Sequence, residues 1–226
     1  VAPRPFRVSA IENVLSIVRE SIPYIIVPLL VSVAATGLGF WYTGWGFWYI
    51  GLLFFVVTLF MAYFFRDPQR VPPDDPDVVV SPADGRVTRI DSVTAEAGAP
   101  TLISIFLSPF DVHINRSPIP GKIVDVVYSP GKFLIATNEK ASLVNEQNAL
   151  TIQGEKITVV CKQIAGILAR RIVCWKGKGD RVNLGERFGM IKFSSRTDVL
   201  LPANVKVTVA EGDRVRGGIT VIGRIS

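Results

Sequence analysis

The chain has 226 residues, 49% of them hydrophobic, a formal net charge of +6 and two cysteines. That length holds one domain of about 150 residues plus an appendage. The basic balance fits a surface lying against an anionic membrane leaflet, whereas no basic helix or aromatic RNA-binding motif supports a nucleic-acid partner. Residues 1–20 carry a moderate amphipathic pattern (Phe6, Ile11, Val14, Leu15, Val18) and predict a short helix on a membrane surface. From Ile22 to Phe65 there is no Asp, Glu, Lys or Arg, enough for two bilayer crossings of roughly 20 residues each. The expectation is a hairpin of two membrane helices near 22–38 and 46–65, with a tight turn around Thr43-Gly44. Trp41, Tyr42, Trp45, Trp48 and Tyr49 cluster there as an interfacial belt would. A cleaved signal peptide is not expected, because the run is too long and no small-residue cleavage site follows it.

A hairpin returns both flanks to one side. Arg4, Arg7 and Arg19 precede it and Arg66 and Arg70 follow it, so the positive-inside rule predicts a cell-membrane protein whose remaining chain lies on the cytoplasmic face. Residues 1–65 then form the amphipathic segment and anchor, and 66–226 a β-rich domain. Pro68, Pro72, Pro73 and Pro76 make an extended linker between them. From Val78 onward short Val/Ile runs alternate with Gly and Pro. Strands are predicted at 78–80, 86–90, 102–107, 122–128, 149–153, 157–163, 190–193, 205–209 and 219–222, with a helical turn near 165–169. Ser81-Pro-Ala-Asp-Gly85 and Ser117-Pro-Ile-Pro-Gly121 both read as a turn before a strand. Val209-Ala-Glu-Gly-Asp-Arg-Val-Arg-Gly-Gly218 resembles the hammerhead turns of lipoyl and biotinyl carrier domains, where glycine supplies positive φ. The predicted fold is therefore mainly β, a compact barrel or sandwich of short strands with lipoyl-like hammerhead turns, preceded by an α-helical membrane hairpin. Cys161 and Cys174 lack metal-ligand spacing and read as reduced fillers rather than a disulfide; no metal site is expected.

Three places carry polarity that a β core does not need. Ser194 and Ser195 interrupt the run Phe188-Gly-Met-Ile-Lys-Phe-Ser-Ser-Arg-Thr-Asp198. Taken alone, such a pair at a strand end is an ordinary turn. His113 is the only histidine, and it sits in Phe110-Asp-Val-His-Ile-Asn-Arg116. A lone histidine is more often structural than catalytic, yet it is the one side chain that titrates unperturbed near neutrality. Asp84 lies in an Asp-Gly turn, where a plain turn cap is the simpler role.

Together these stretches resemble the short, membrane-attached phosphatidylserine decarboxylases. The resemblance covers most of residues 64–226, including Phe65-Arg-Asp-Pro68, Asn145-Glu-Gln-Asn148 and Gln163-Ile-Ala-Gly-Ile-Leu-Ala-Arg-Arg171. It implies a carboxy-lyase that converts phosphatidylserine in the bilayer to phosphatidylethanolamine and CO2, as a step of phospholipid biosynthesis. It also implies a zymogen that cleaves itself between Ser194 and Ser195. The cofactor would be a covalent pyruvoyl group made from Ser195, forming a Schiff base with the substrate amine and drawing electrons from the breaking bond, work that cofactors normally do. No convincing pyridoxal lysine is present. Ser194 departs from the glycine usual before the nucleophile, and its Cβ narrows the backbone's freedom there. The resemblance implies Ser195, His113 and Asp84 as catalytic residues, with Asp84 orienting the base of self-cleavage. Arg116 stands where longer relatives carry a second histidine. Arg116, Asn145, Arg170, Arg171 and Lys192 are candidate substrate contacts, and surface solvation is an equal reading for the arginine pair and Lys192. The cleaved chains are expected to stay associated, and homo-oligomerisation is left open.

Two rivals stand beside this reading. One is a serine hydrolase with an Asp84–His113–Ser195 triad. The other is a non-catalytic membrane adaptor, or a decarboxylase relative that Ser194 leaves unprocessed.

Overall fold

A computed structural model describes residues 17–42, 45–92, 99–132, 144–166, 172–192 and 195–226. The expected Thr43-Gly44 turn, the helical turn near 165–169 beyond residue 166, and the amphipathic segment up to residue 16 lie outside them. The chain divides into two compact units, Val1–Gln69 and Arg70–Ser226.

The first unit contains α1 (Ile22–Tyr42) and α2 (Trp45–Phe64), both long and apolar enough to cross a membrane. They pack as a hairpin through small residues: Ser32, Ala35 and Gly39 on α1 and Gly51 and Thr58 on α2 are buried. Helices that cannot gain by hiding apolar surface from lipid associate through such close backbone approach. Ser32 Oγ donates across the seam to the Gly51 carbonyl at 2.7 Å. An added Cβ at Gly51 would meet Thr36 Oγ1. α1 runs four residues past its expected end. Gly37 and Gly39 do not end the helix, and Gly39 is covered by the Trp48 ring. Trp41, Tyr42, Trp45 and Tyr49 are exposed near the helix junction, as an interfacial belt requires.

The named elements of the second unit are all β-strands. Its strands are β1 (Val78–Val80), β2 (Gly85–Ser92), β3 (Thr101–Leu107), β4 (Ile114–Arg116), β5 (Gly121–Ser129), β6 (Gln147–Gln153), β7 (Thr158–Ala165), β8 (Ile172–Cys174), β9 (Arg181–Val182), β10 (Arg187–Ile191), β11 (Ser195–Leu201), β12 (Val205–Val207), β13 (Arg214–Val215) and β14 (Val221–Ile225). An eight-stranded sheet has the order β13-β2-β3-β11-β7-β6-β5-β9, and two three-stranded sheets run β1-β14-β12 and β4-β10-β8. Every pair of named strands is antiparallel. The core lies on the inner face of the large sheet, where Val87, Ile103, Ile123, Leu150, Val199 and Leu201 meet Val79 and Ile222 of a small one.

The two look-alike turns are built alike. Ser81 Oγ donates to the Ala83 carbonyl at 2.7 Å, and Ser117 Oγ to the Ile119 carbonyl at 2.6 Å. They also bond to each other: Val80 N–H donates to Pro118 O, and Arg116 N–H to Pro82 O. The hammerhead-like stretch contains Gly212 and Gly218 at φ +94° and +75°, the conformation that glycine adopts without a Cβ penalty.

Both cysteines are free thiols. Burial pushes the Cys161 thiol far above its ordinary range, with the charge of Asp198 adding to it. Since the thiolate is the reactive form, Cys161 is expected to resist alkylation at pH 8 in the folded protein and to react once denatured. Labelling followed by peptide mass analysis checks this; native labelling at the rate of a free thiol would contradict the core placement.

Candidate active site

Ser195 opens β11, the strand between β3 and β7 near the middle of the large sheet. It pairs with Leu107 on one side and Ala165 on the other and is fully buried. Alternation puts Ser195, Thr197, Val199 and Leu201 on the core face and Arg196, Asp198 and Leu200 on the opposite face. The strand is nonetheless buried almost throughout, so its polar side chains need internal partners. Arg196 and Asp198 satisfy each other through a two-pronged ion pair, Nε to Oδ1 at 2.7 Å and Nη2 to Oδ2 at 2.8 Å. Thr197 Oγ1 accepts from Asn115 Nδ2 at 3.0 Å. Ser195 Oγ is buried with no hydrogen bond among the described residues.

His113 precedes β4 and is 1% exposed. Its Nδ1 lies 3.0 Å from the Asp111 carbonyl. A carbonyl only accepts, so Nδ1 carries the proton and Nε2 is left as the basic nitrogen. The His113 carbonyl accepts from Ile191 N–H at the end of β10, four residues before Ser195. The histidine segment and the serine segment are thus tied twice, by this bond and by Asn115 to Thr197.

Asp84 is engaged elsewhere. Its carboxylate takes a fork from Arg70, 2.5 Å to Nη1 and 2.7 Å to Nη2, and a bond from Gly217 N–H at 2.8 Å. The Asp84-to-His113 contact expected of a triad is not among the hydrogen bonds of the described residues. Asp111 O holds the ring instead. The physical reason is Arg70, 6% exposed, whose planar fork matches a carboxylate better than one imidazole nitrogen does. Arg70 was expected to be a juxtamembrane cation; it belongs to the β unit, and sequence reading had no signal for that partner. Arg116 is buried and donates from Nη1 to the Gly185 carbonyl at 3.1 Å. Asn145 donates to the carbonyl of Ala165, the register partner of Ser195, at 2.7 Å. Lys192 is buried, three residues before Ser195. Tyr128 donates to Glu146 at 3.2 Å, and desolvation followed by that carboxylate's charge raises the phenol's pKa. Ser194, Arg170 and Arg171 lie outside the described residues. The sequence reading missed Asn115, Gln163 and Thr197 as a group, although their polarity on apolar β runs was visible.

The arrangement suits attack by Ser195 on its own backbone: a nucleophile uncommitted to any structural bond, at a strand start, with a histidine segment fastened alongside. These residues fit a pyruvoyl group formed from Ser195, because its formation removes a buried hydroxyl that has no hydrogen bond among the described residues.

Comparison with known proteins gives the class. The family profile of phosphatidylserine decarboxylase matches residues 57–223. The chain belongs to this family. A phosphatidylserine decarboxylase proenzyme of Solibacter usitatus (strain Ellin6076) is 53% identical over 169 residues, 75% of this chain and 80% of the relative. Those of Chlorobium chlorochromatii (strain CaD3) and Geotalea uraniireducens (strain Rf4) are 48% and 49% identical, covering 75% and 74% of this chain and 81% and 80% of theirs.

The Arg196–Asp198 pair yields a prediction. Removing one member of a buried pair strands the other charge, at about 3–5 kcal/mol. Asp198→Asn should lose that much in denaturant unfolding, and Arg196→Met with Asp198→Leu should regain most of it. A loss below about 1 kcal/mol for Asp198→Asn would mean that the pair is solvated.

Proposed function

We propose that this chain is a membrane-anchored carboxy-lyase that converts phosphatidylserine to phosphatidylethanolamine and CO2, using a pyruvoyl group made from Ser195. Family membership over 57–223 supports the reaction class. The observation that carries the site is the buried, unbonded Ser195 hydroxyl at the head of a central strand.

In maturation, the Ser195 hydroxyl attacks the carbonyl carbon of Ser194. The peptide C–N bond breaks, an ester forms to Oγ and the nitrogen takes a proton. Loss of the Cα proton of residue 195 then expels the preceding chain as a carboxylate, and hydrolysis of the dehydroalanine left behind releases ammonia. His113, with Nδ1–H held by Asp111 O, has Nε2 to carry protons in this sequence. The pyruvoyl group supplies a ketone for the substrate amine and a sink for the electrons of the C–C bond. In turnover, His113 returns a proton to the substrate carbon that has lost CO2. After cleavage, residues 195–226 would stay in place, because β11 is bonded to β3 and β7, and β14 to β1. The hairpin keeps the domain at the bilayer where the lipid resides, and the arginine-bearing flanks favour its cytoplasmic face.

A serine-hydrolase reading is the weaker one, since Asp84 is occupied by Arg70 and Gly217. Mass analysis of the purified full chain separates the two. The decarboxylase reading predicts two products, 1–194 and a blocked 195–226; an intact chain labelled at Ser195 by acylating probes would overturn it. Ser194→Gly should speed cleavage by relieving backbone restriction, and an unchanged rate would remove that role for the Cβ.

His113→Ala tests the proton carrier. It is expected to retain the fold and to lower decarboxylation by about 10²–10⁴-fold; near-normal cleavage and turnover would make His113 structural. Cleavage without turnover would assign it to decarboxylation alone.

A further inference from the structure

Four buried polar side chains form one directional chain beneath Ser195. Asn148 Nδ2 donates to Gln163 Oε1 at 3.1 Å, Gln163 Nε2 to Asn115 Oδ1 at 2.9 Å, and Asn115 Nδ2 to Thr197 Oγ1 at 3.0 Å. Asn148 and Gln163 are cross-strand partners on β6 and β7, and Gln163 is in turn the partner of Thr197 on β11. Asn115 comes from β4 of the neighbouring three-stranded sheet. The chain therefore fastens the strand that follows His113 to the strand that begins with Ser195, each through a residue two positions on. Space is made for it: a Cβ at Gly189 would meet Gln163 Nε2 at 2.8 Å and the Val173 carbonyl closer still.

Such a chain has a definite polarity. Asn115 accepts from Gln163 through its oxygen and donates through its nitrogen to Thr197 and, at 3.5 Å, to the Pro82 carbonyl, so turning this amide alone would set its N–H groups against those of Gln163. An apolar replacement of equal volume would pack, but it would not fix the register between the two sheets. Buried networks of this kind specify a unique arrangement when every member is satisfied. All three amides are neutral, so they add no charge beside the histidine.

We propose that Asn115, oriented by Gln163 and Asn148, is a positioning residue that sets His113 relative to Ser195 for self-cleavage and turnover. The proposal rests on the reading of Ser195 as the cleavage serine, and the test is chosen to separate the two. Because His113 is the only histidine, its ring nitrogens and protons can be followed by NMR in the full chain in detergent micelles after selective labelling. The variants are Gln163→Leu, Thr197→Val, Asn115→Leu and Asn115→Asp, with Ile152→Ala as a buried core control away from the amide chain.

Gln163→Leu and Thr197→Val should slow chain cleavage at least tenfold and move or broaden the His113 ring signals. Ile152→Ala, which also lowers the melting temperature, should leave both within twofold of the parent. Asn115→Leu should behave like Gln163→Leu. Asn115→Asp should recover most of the cleavage rate, because a carboxyl oxygen still accepts from Gln163 while the Thr197 hydroxyl turns to donate. The proposal is overturned if Gln163→Leu and Thr197→Val do no more than Ile152→Ala to the rate and the ring signals, or if Asn115→Asp is no better than Asn115→Leu. Should the parent chain stay intact while Gln163→Leu still shifts the His113 signals, the positioning role stands and the reading of Ser195 falls.

Discussion

The constraint on which the β unit turns is that its central strand is polar and buried on both faces. β11 begins Ser-Arg-Thr-Asp, a sequence suited to solvent, yet it lies between β3 and β7 with almost no exposure. Every donor and acceptor on it must then be met from within, since an unmet buried group costs about 1–3 kcal/mol. One face meets the demand with the Arg196–Asp198 pair and the other with the amide chain that ends on Thr197. Ser195 is the exception, its hydroxyl having no bond among the described residues. A buried nucleophile left unsatisfied on a strand whose other polar side chains are paired is the kind of local cost that persists at sites where chemistry is done.

The same constraint explains what could be read in advance. The helical hairpin was legible because 22–65 lacks every charged residue, and most strands because Val/Ile runs are punctuated by Gly and Pro. The twin serine turns were legible as a pair, although their reciprocal backbone bonds were not. β11 was missed as a strand because its first four residues carry no apolar alternation; its burial is set by partners distant in sequence. Asn115 and Thr197 are 82 positions apart, and Arg70 is 147 from its Gly217 contact. Local pattern holds no trace of such pairings. The motifs around Ser195 and His113 were visible through family resemblance, whereas the residue holding the His113 ring, Asp111 through its carbonyl, was not.

The two units differ in how they are held together. Small residues at the seam let α1 and α2 approach closely. The β unit has its own core and its own internal turn symmetry, in which Ser81 and Ser117 repeat one device. The last four strands, from Ser195 onward, are distributed through two of the three sheets, so a break before β11 would leave the C-terminal chain woven into the fold.

The central claim is that residue 195 becomes the electrophile of the reaction. It is tested most directly by incubating the purified full chain with phosphatidylserine vesicles and cyanoborohydride, then weighing the separated polypeptides. The account predicts a lipid-derived amine fixed by reduction at the N-terminus of the 195–226 polypeptide, with loss of activity in proportion. Turnover of phosphatidylserine by a preparation that acquires no such mass, or acquires it on a lysine elsewhere, would contradict it.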